Sequence, residues 1–251
     1  MTDCCAIHAV AGSSPLYRNE FGMWHAFSLP NRGPVSLSPG AKPALAVGRH
    51  VYVLRNGAWK RLRSARAKRL TALWLEDDRQ LWAADNKRRL LSYSRGKWTT
   101  RRLKLAADDQ VRSLTRVGTE LFVLTRAGAV LRVRGTTATP LSTPADMSDV
   151  VVAAAAVGAG KLILVGRSEA RAVVLAVDGD ALVVREDLPN PKPSAAVLML
   201  HADSQGDVLL STDDGLLWVR KSGKWMQGTL VHEPPGGVVT PRAGARPAII
   251  R

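Results

Sequence analysis

A glycine returns along this chain at a nearly fixed spacing, each time just ahead of a strand-forming residue. The steps are Gly22-Met23-Trp24, Gly57-Ala58-Trp59, Gly96-Lys97-Trp98, Gly135-Thr136-Thr137, Gly179-Asp180-Ala181 and Gly223-Lys224-Trp225. Successive glycines lie 35, 39, 39, 44 and 44 residues apart. Six steps in 251 residues give a mean period of about 42. Four of the seven tryptophans fall at one phase of that period, opening the second strand of a hairpin. A repeat of this length marks a stack of supersecondary units, none of which buries its apolar face alone.

Each glycine separates two short alternating runs, as in 50–62, 90–103 and 215–230. Alternation at period two around a Gly turn predicts a β-hairpin. Two more strand-like runs precede each hairpin. In one repeat they are 70–76 and 80–85, split by Asp77-Asp78-Arg79; in another, 196–202 and 207–212, split by Asp203-Ser204-Gln205-Gly206. Four strands in about 42 residues is the period of a β-propeller blade. The sequence therefore predicts an all-β chain, a single six-bladed β-propeller over 1–251 built of four-stranded antiparallel blades. The blades read as 35–64, 68–104, 109–143, 148–187 and 195–230, with a split blade from 5–30 and 236–251. In that split blade the N-terminal stretch lacks an innermost strand, and the tail is the spare strand material. Val238 to Thr240 has the better spacing for it, and Ala248 to Ile250 is the more strand-like. A ring closed by both termini leaves no open sheet edge.

Two stretches, 70–100 and 197–225, resemble the two-component regulator propeller repeat. That repeat reads as an apolar strand, Asp-x-x-Gly, an apolar strand ending in Thr, then Gly-Leu and an aromatic. Asp203, Gly206, Thr212, Gly215 and Leu216 match it, and Asp77 or Asp78 matches in the other stretch. The resemblance implies the propeller fold and a sensory or interaction module.

Composition narrows the function. No apolar run approaches the roughly 18 residues of a membrane helix. The N-terminus, MTDCCAIHAV, lacks a basic segment followed by a continuous apolar one, which predicts cytoplasmic residence and no membrane partner. The only cysteines, Cys4 and Cys5, are neighbours, so no disulfide framework is available. The five histidines, His8, His25, His50, His201 and His232, show no metal-ligand spacing. No nucleophile elbow, phosphate loop or dinucleotide fingerprint is present, so no catalytic residue and no cofactor is predicted. An enzyme with catalytic groups scattered over blade loops is the third reading. The repeated tryptophans sit on different blades and are predicted to pack along them rather than to form one cage.

Charge is the one functional signal. The chain carries a formal +15. Residues 55–104 hold 16 basic side chains and four acidic ones, a net +12 in 50 residues. Blade topology predicts that Arg63, Arg66, Lys68 and Arg69 lie on one outer-to-inner connection, and Lys87, Arg88 and Arg89 on the adjacent turn between second and third strands. Arg101, Arg102 and Lys104 run towards the next such connection. Ten cations are thus expected towards one face of two neighbouring blades, while Glu76, Asp77 and Asp78 fall on the other. Such a face suits an acidic partner. The predicted function is a non-catalytic scaffold that docks protein subunits of a larger assembly. Non-specific binding to the nucleic-acid phosphate backbone is the alternative, with few aromatics among the cations to stack on bases.

Overall fold

The computed structural model describes residues 8–10, 16–20, 23–27, 35–37, 44–55, 58–62, 67, 69–77, 80–135, 137–189 and 195–229. Among them all regular structure is β except one 3-10 turn, Ala145–Met147. The strands form one three-stranded and five four-stranded antiparallel sheets, each a simple meander.

The first sheet holds β1 (His8–Val10), β2 (Leu16–Glu20) and β3 (Met23–Phe27). The second holds β4 (Val35–Leu37), β5 (Ala44–Val47), β6 (His50–Arg55) and β7 (Ala58–Arg61). The third holds β8 (Leu70–Asp77), β9 (Gln80–Asp85), β10 (Arg89–Ser94) and β11 (Lys97–Arg102). The fourth holds β12 (Val111–Val117), β13 (Glu120–Thr125), β14 (Val130–Arg134) and β15 (Thr137–Pro140). The fifth holds β16 (Val151–Gly158), β17 (Lys161–Arg167), β18 (Ala172–Asp178) and β19 (Ala181–Asp187). The sixth holds β20 (Val197–Ala202), β21 (Val208–Thr212), β22 (Leu216–Lys221) and β23 (Lys224–Thr229). The tail at 236–251, from which ring closure is expected, lies outside the described residues, as do Cys4 and Cys5.

The second strands explain the packing. Side chains alternate between the two faces of a strand. In β9, Leu81 and Ala83 join Val51 and Val53 in the slab between the second and third sheets. Trp82 and Ala84 point the other way, into the slab with Leu121 and Val123. In β13 those two residues alternate with Phe122 and Leu124, which pack against Leu162 and Leu164 of the fifth sheet. Val165 then joins Leu210 and Trp218 of the sixth. Both faces of these second strands are therefore buried, which is why they read as nearly continuous apolar runs. Each fully buried leucine, such as Leu81 or Leu164, contributes about 2 kcal/mol.

Neighbouring sheets meet chiefly through their first strands: β8 packs on β12, β12 on β16 and β16 on β20. The sheets thus fan outward from a shared inner edge. The first strands of the third to sixth sheets carry the same irregularity, a bulge between Leu70 and Ala72, Val111 and Ser113, Val152 and Ala154, and Val197 and Met199. A bulge bends the strand and re-aims one side chain. No helix among the described residues is long and apolar enough to cross a membrane.

Candidate functional site

Two kinds of turn separate the ends of every four-stranded sheet. In the third to sixth sheets the turns joining first to second strands, and third to fourth, lie at one end. The turns joining second to third strands, and the connections to the next sheet, lie at the other. This second end carries the predicted basic face.

The turn there is built by a buried polar residue at the end of the second strand. Asp85, Thr125 and Thr212 pair with Leu70, Val111 and Val197, and all three are essentially inaccessible. The Asp85 Oδ1 accepts the backbone N–H groups of Lys87 and Arg89, each at 3.0 Å. The Thr125 hydroxyl accepts the N–H of Ala129 at 3.1 Å. The Thr212 hydroxyl donates to Asp214 at 2.5 Å. The terminal Thr of the resemblance pattern is thus a turn-building residue. At the other end, the Asp203 Oδ1 accepts the N–H groups of Gln205 and Asp207, both at 2.9 Å, which accounts for the Asp-x-x-Gly step.

Of the ten predicted cations, Arg63, Arg66 and Lys68 lie outside the described residues. Arg69, Lys87, Arg102 and Lys104 are exposed on the expected end of the third sheet or its flanking connections. Three others are committed within the molecule. Arg89 clamps the fully buried Asp85 carboxylate, with Nε at 2.8 Å and Nη2 at 2.6 Å from Oδ2. Arg88, at φ 60°, donates to the Ala106 carbonyl at 2.9 Å and so ties the turn to the next connection. Arg101 stacks over Trp82, 5.5 Å from the ring centroid, and donates to the Gly135 carbonyl of the next sheet. Gly135 belongs to a turn at the opposite end, so Arg101 does not join the basic face.

Sequence reading missed three cations further along the same end. Arg126 opens the second-to-third-strand turn of the fourth sheet, its N–H donating to the Gln110 carbonyl at 2.8 Å. Arg167 occupies the corresponding place in the fifth sheet, paired in register with Val151. Arg112 is the bulged residue of β12. Burial first, and then the Arg167 and Arg126 guanidiniums, hold the Arg112 pKa below the ordinary arginine value. A similar crowding occurs on the second sheet, where burial, then Arg61 and Arg49, lower the pKa of His50. The recurring place at the end of the second strand is the signal that would have found Arg126 and Arg167.

The opposite end carries several ion pairs. A cavity of about 770 Å³ there is lined by Phe122, Arg132, Lys161, Arg185, Glu186 and Arg220 among others. Arg132 meets Asp180 at 2.5 Å and Glu120 at 3.4 Å, and lies 5.4 Å from the Phe122 ring centroid. Arg220 pairs with Glu186 at 2.6 Å. Among the described residues no three His, Cys, Asp or Glu side chains converge as a metal site.

Three solved structures share this architecture. YCF48 bound to D1 peptide aligns with a TM-score of 0.60 at 15% identity, over 82% of this chain and 72% of that one. The BBS1N chain in complex with ARL6DN aligns at 0.59 and 13%, over 86% and 72%. BamB from Moraxella catarrhalis aligns at 0.53 and 13%, over 86% and 71%. All three are β-propellers.

The fold is a β-propeller.

At these identities the likeness extends to the fold alone. No family model matches the chain, and no curated protein matches it. The resemblance of 70–100 and 197–225 to the two-component regulator repeat therefore rests on those residues alone. Within the propeller, the sheets are blades and their first strands are the inner ones. Trp98 opens an outer strand and packs against Tyr93, ring centroids 5.1 Å apart, beside the core slab. Trp225 packs at the slab between the fifth and sixth blades. Both tryptophans serve packing along blades.

Proposed function

We propose that this propeller is a non-catalytic scaffold subunit whose turn-rich basic face receives an acidic protein partner in a larger assembly. The observation that carries this reading is the exposure of Arg69, Lys87, Arg102 and Lys104 at one end of one blade. Asp85, which ends the second strand beside them, is buried and engaged by Arg89 and by its own turn. At the opposite end, Arg132, Arg134 and Arg220 meet Glu120, Asp180 and Glu186. Two structural neighbours, peptide-bound YCF48 and BBS1N with ARL6DN, are propellers holding a protein or peptide partner, which supports the same use of this fold.

The ring in this proposal has six blades. The three-stranded first sheet is the incomplete one, and the tail at 236–251 supplies its innermost strand. The test of function is affinity capture with the wild-type chain and with a variant carrying Glu at 69, 87, 102 and 104. A specific co-purifying protein present with the first and lost with the second is the expected result. Capture unchanged in the variant would refute the basic face. Co-purifying nucleic acid released log-linearly with salt would replace the protein partner with a phosphate backbone.

A further inference from the structure

We infer that the cavity over the end of the fifth blade, opposite the basic face, binds a small amphipathic anion: an apolar body with a carboxylate or phosphate head. The inference is independent of the proposed partner face, which lies at the other end of the blades.

The local sequence explains the space. The turn between β16 and β17 holds only Ala159 and Gly160, so no long side chain from it covers the blade end. The cavity there, of about 770 Å³, is within the size range of small-molecule sites. Its walls come from three blades: Phe122 and Arg132 of the fourth, Leu162 and Ile163 of the fifth, Val208 and Arg220 of the sixth. The outer strand of the fifth blade adds an irregularity. Val174 pairs with Glu186 and Leu175 with Val184, which leaves Arg185 as an extra residue between them. In a regular strand Arg185 and Glu186 would face opposite ways. The bulge lets both line the cavity. The outer strands of the other four-stranded sheets pair without such a shift among the described residues.

Charge selects the ligand. The wall carries four cations, Arg132, Lys161, Arg185 and Arg220, and two carboxylates, Glu120 and Glu186. Both carboxylates are engaged, Glu120 by Arg134 at 2.8 Å and Arg132 at 3.4 Å, Glu186 by Arg220 at 2.6 Å. The Arg132 side chain is 8% accessible, and its Nε makes no hydrogen bond among the described residues. Lys161 and Arg185 are exposed and have no ion pair or side-chain hydrogen bond among the described residues. Other acids at this end do not compensate them from the wall. Asp178 and Asp180 lie in the turn outside it, and Asp180 is held by Arg132 at 2.5 Å. Asp203 accepts the N–H groups of Gln205 and Asp207, and Asp207 that of Ser222. Two cations are thus left facing a wall whose remaining residues are almost all apolar or Gly. An inorganic anion would leave the apolar wall wet, and an apolar molecule would leave the cations unmet. An amphipathic anion answers both, since guanidinium and ammonium groups take carboxylate or phosphate oxygens through charge-assisted hydrogen bonds.

The probe is 8-anilinonaphthalene-1-sulfonate, an aromatic body with one anionic head, followed by its fluorescence on the folded chain at physiological ionic strength. Wild-type chain should bind it, and a variant with Lys161→Gln and Arg185→Gln should bind about tenfold or more weakly with an unchanged melting temperature, because both side chains are exposed. Ala176→Trp, at a half-buried wall position, should fill the space and abolish binding; where that variant fails to fold, the charge variant decides. Dodecanoate or dodecyl phosphate, below micellar concentration, should displace the probe from wild type, and the stronger of the two names the head group. Dodecyltrimethylammonium, with the same tail and the opposite charge, should not. Absence of binding to wild type, full affinity in the double variant, or displacement by the cationic detergent as readily as by the anionic ones would overturn the proposal. Loss of binding only in the variant carrying Glu at 69, 87, 102 and 104 would also overturn it, by moving the anion to the basic face.

Discussion

Asp85 shows how a single side chain sets a blade end. It is fully buried, yet its carboxylate organises two backbone N–H groups and one guanidinium. Removing it leaves those donors short of an acceptor in a partly buried place. Asp85→Ala should cost about 2–4 kcal/mol in denaturant unfolding, and Asp85→Asn less, because an amide oxygen still accepts the turn N–H groups. His50 offers a second residue-scale check. Burial, then Arg61 and Arg49, lower its pKa from the ordinary 6.5, so an NMR titration should give a midpoint below that value. The sign for stability follows from proton counting. Below pH 6.5 the unfolded chain binds the proton that the folded chain resists, so this contribution is complete above 6.5 and is lost as pH falls through the folded pKa. A His50→Gln variant should lose that part of the pH dependence.

At the scale of elements, the contacts between blades are tighter than the turns at their far ends. Gly128 has φ +88°, and an added Cβ would lie 2.6 Å from Val151 Cγ1 and 2.9 Å from the Val152 nitrogen. Gly118 has φ +56° in a turn with nothing within 4 Å of the added atom. Both positions strain any L side chain, but only the first also drives one blade off the next. Gly128→Ala should therefore cost about 2–4 kcal/mol, and Gly118→Ala about 1 kcal/mol. Equal losses in chemical denaturation would show that the contact between the fourth and fifth blades yields freely.

For the whole molecule, the two ends of the blades differ in how charge is balanced. At one end Arg132, Arg134 and Arg220 have carboxylate partners. At the other, Arg69, Lys87, Arg102 and Lys104 stand exposed on the third blade. Changing these four to Glu should move the melting temperature little, because exposed side chains away from buried partners have small effects. Adding Arg89→Glu should lower it markedly by breaking the pair with buried Asp85. Ring closure makes a separate prediction. If the tail supplies the innermost strand of the first blade, deleting 236–251 should lower the melting temperature or cause aggregation through newly exposed sheet edges. An unchanged melting temperature would leave the tail outside the ring.

The all-β class and the meandering four-strand unit were legible in the residues themselves. Alternation at period two and the turn residues act between near neighbours, so a linear pattern such as that of 80–85 or 90–103 specifies its own strand and hairpin. The basic stretch at 55–104 was legible for the same reason, being contiguous. Which of its cations face solvent was not. Arg89 turns onto Asp85 and Arg101 onto Trp82 and the neighbouring blade, pairings decided by register and by the packing of one sheet on another. Arg112, Arg126 and Arg167 are separated in the chain, and only Arg126 and Arg167 share a place in the repeat. Their setting is decided by the bulge of the inner strand at Arg112 and by Gly128, which lets the fourth blade close onto Val151 of the fifth, a contact made only once the sheets have packed.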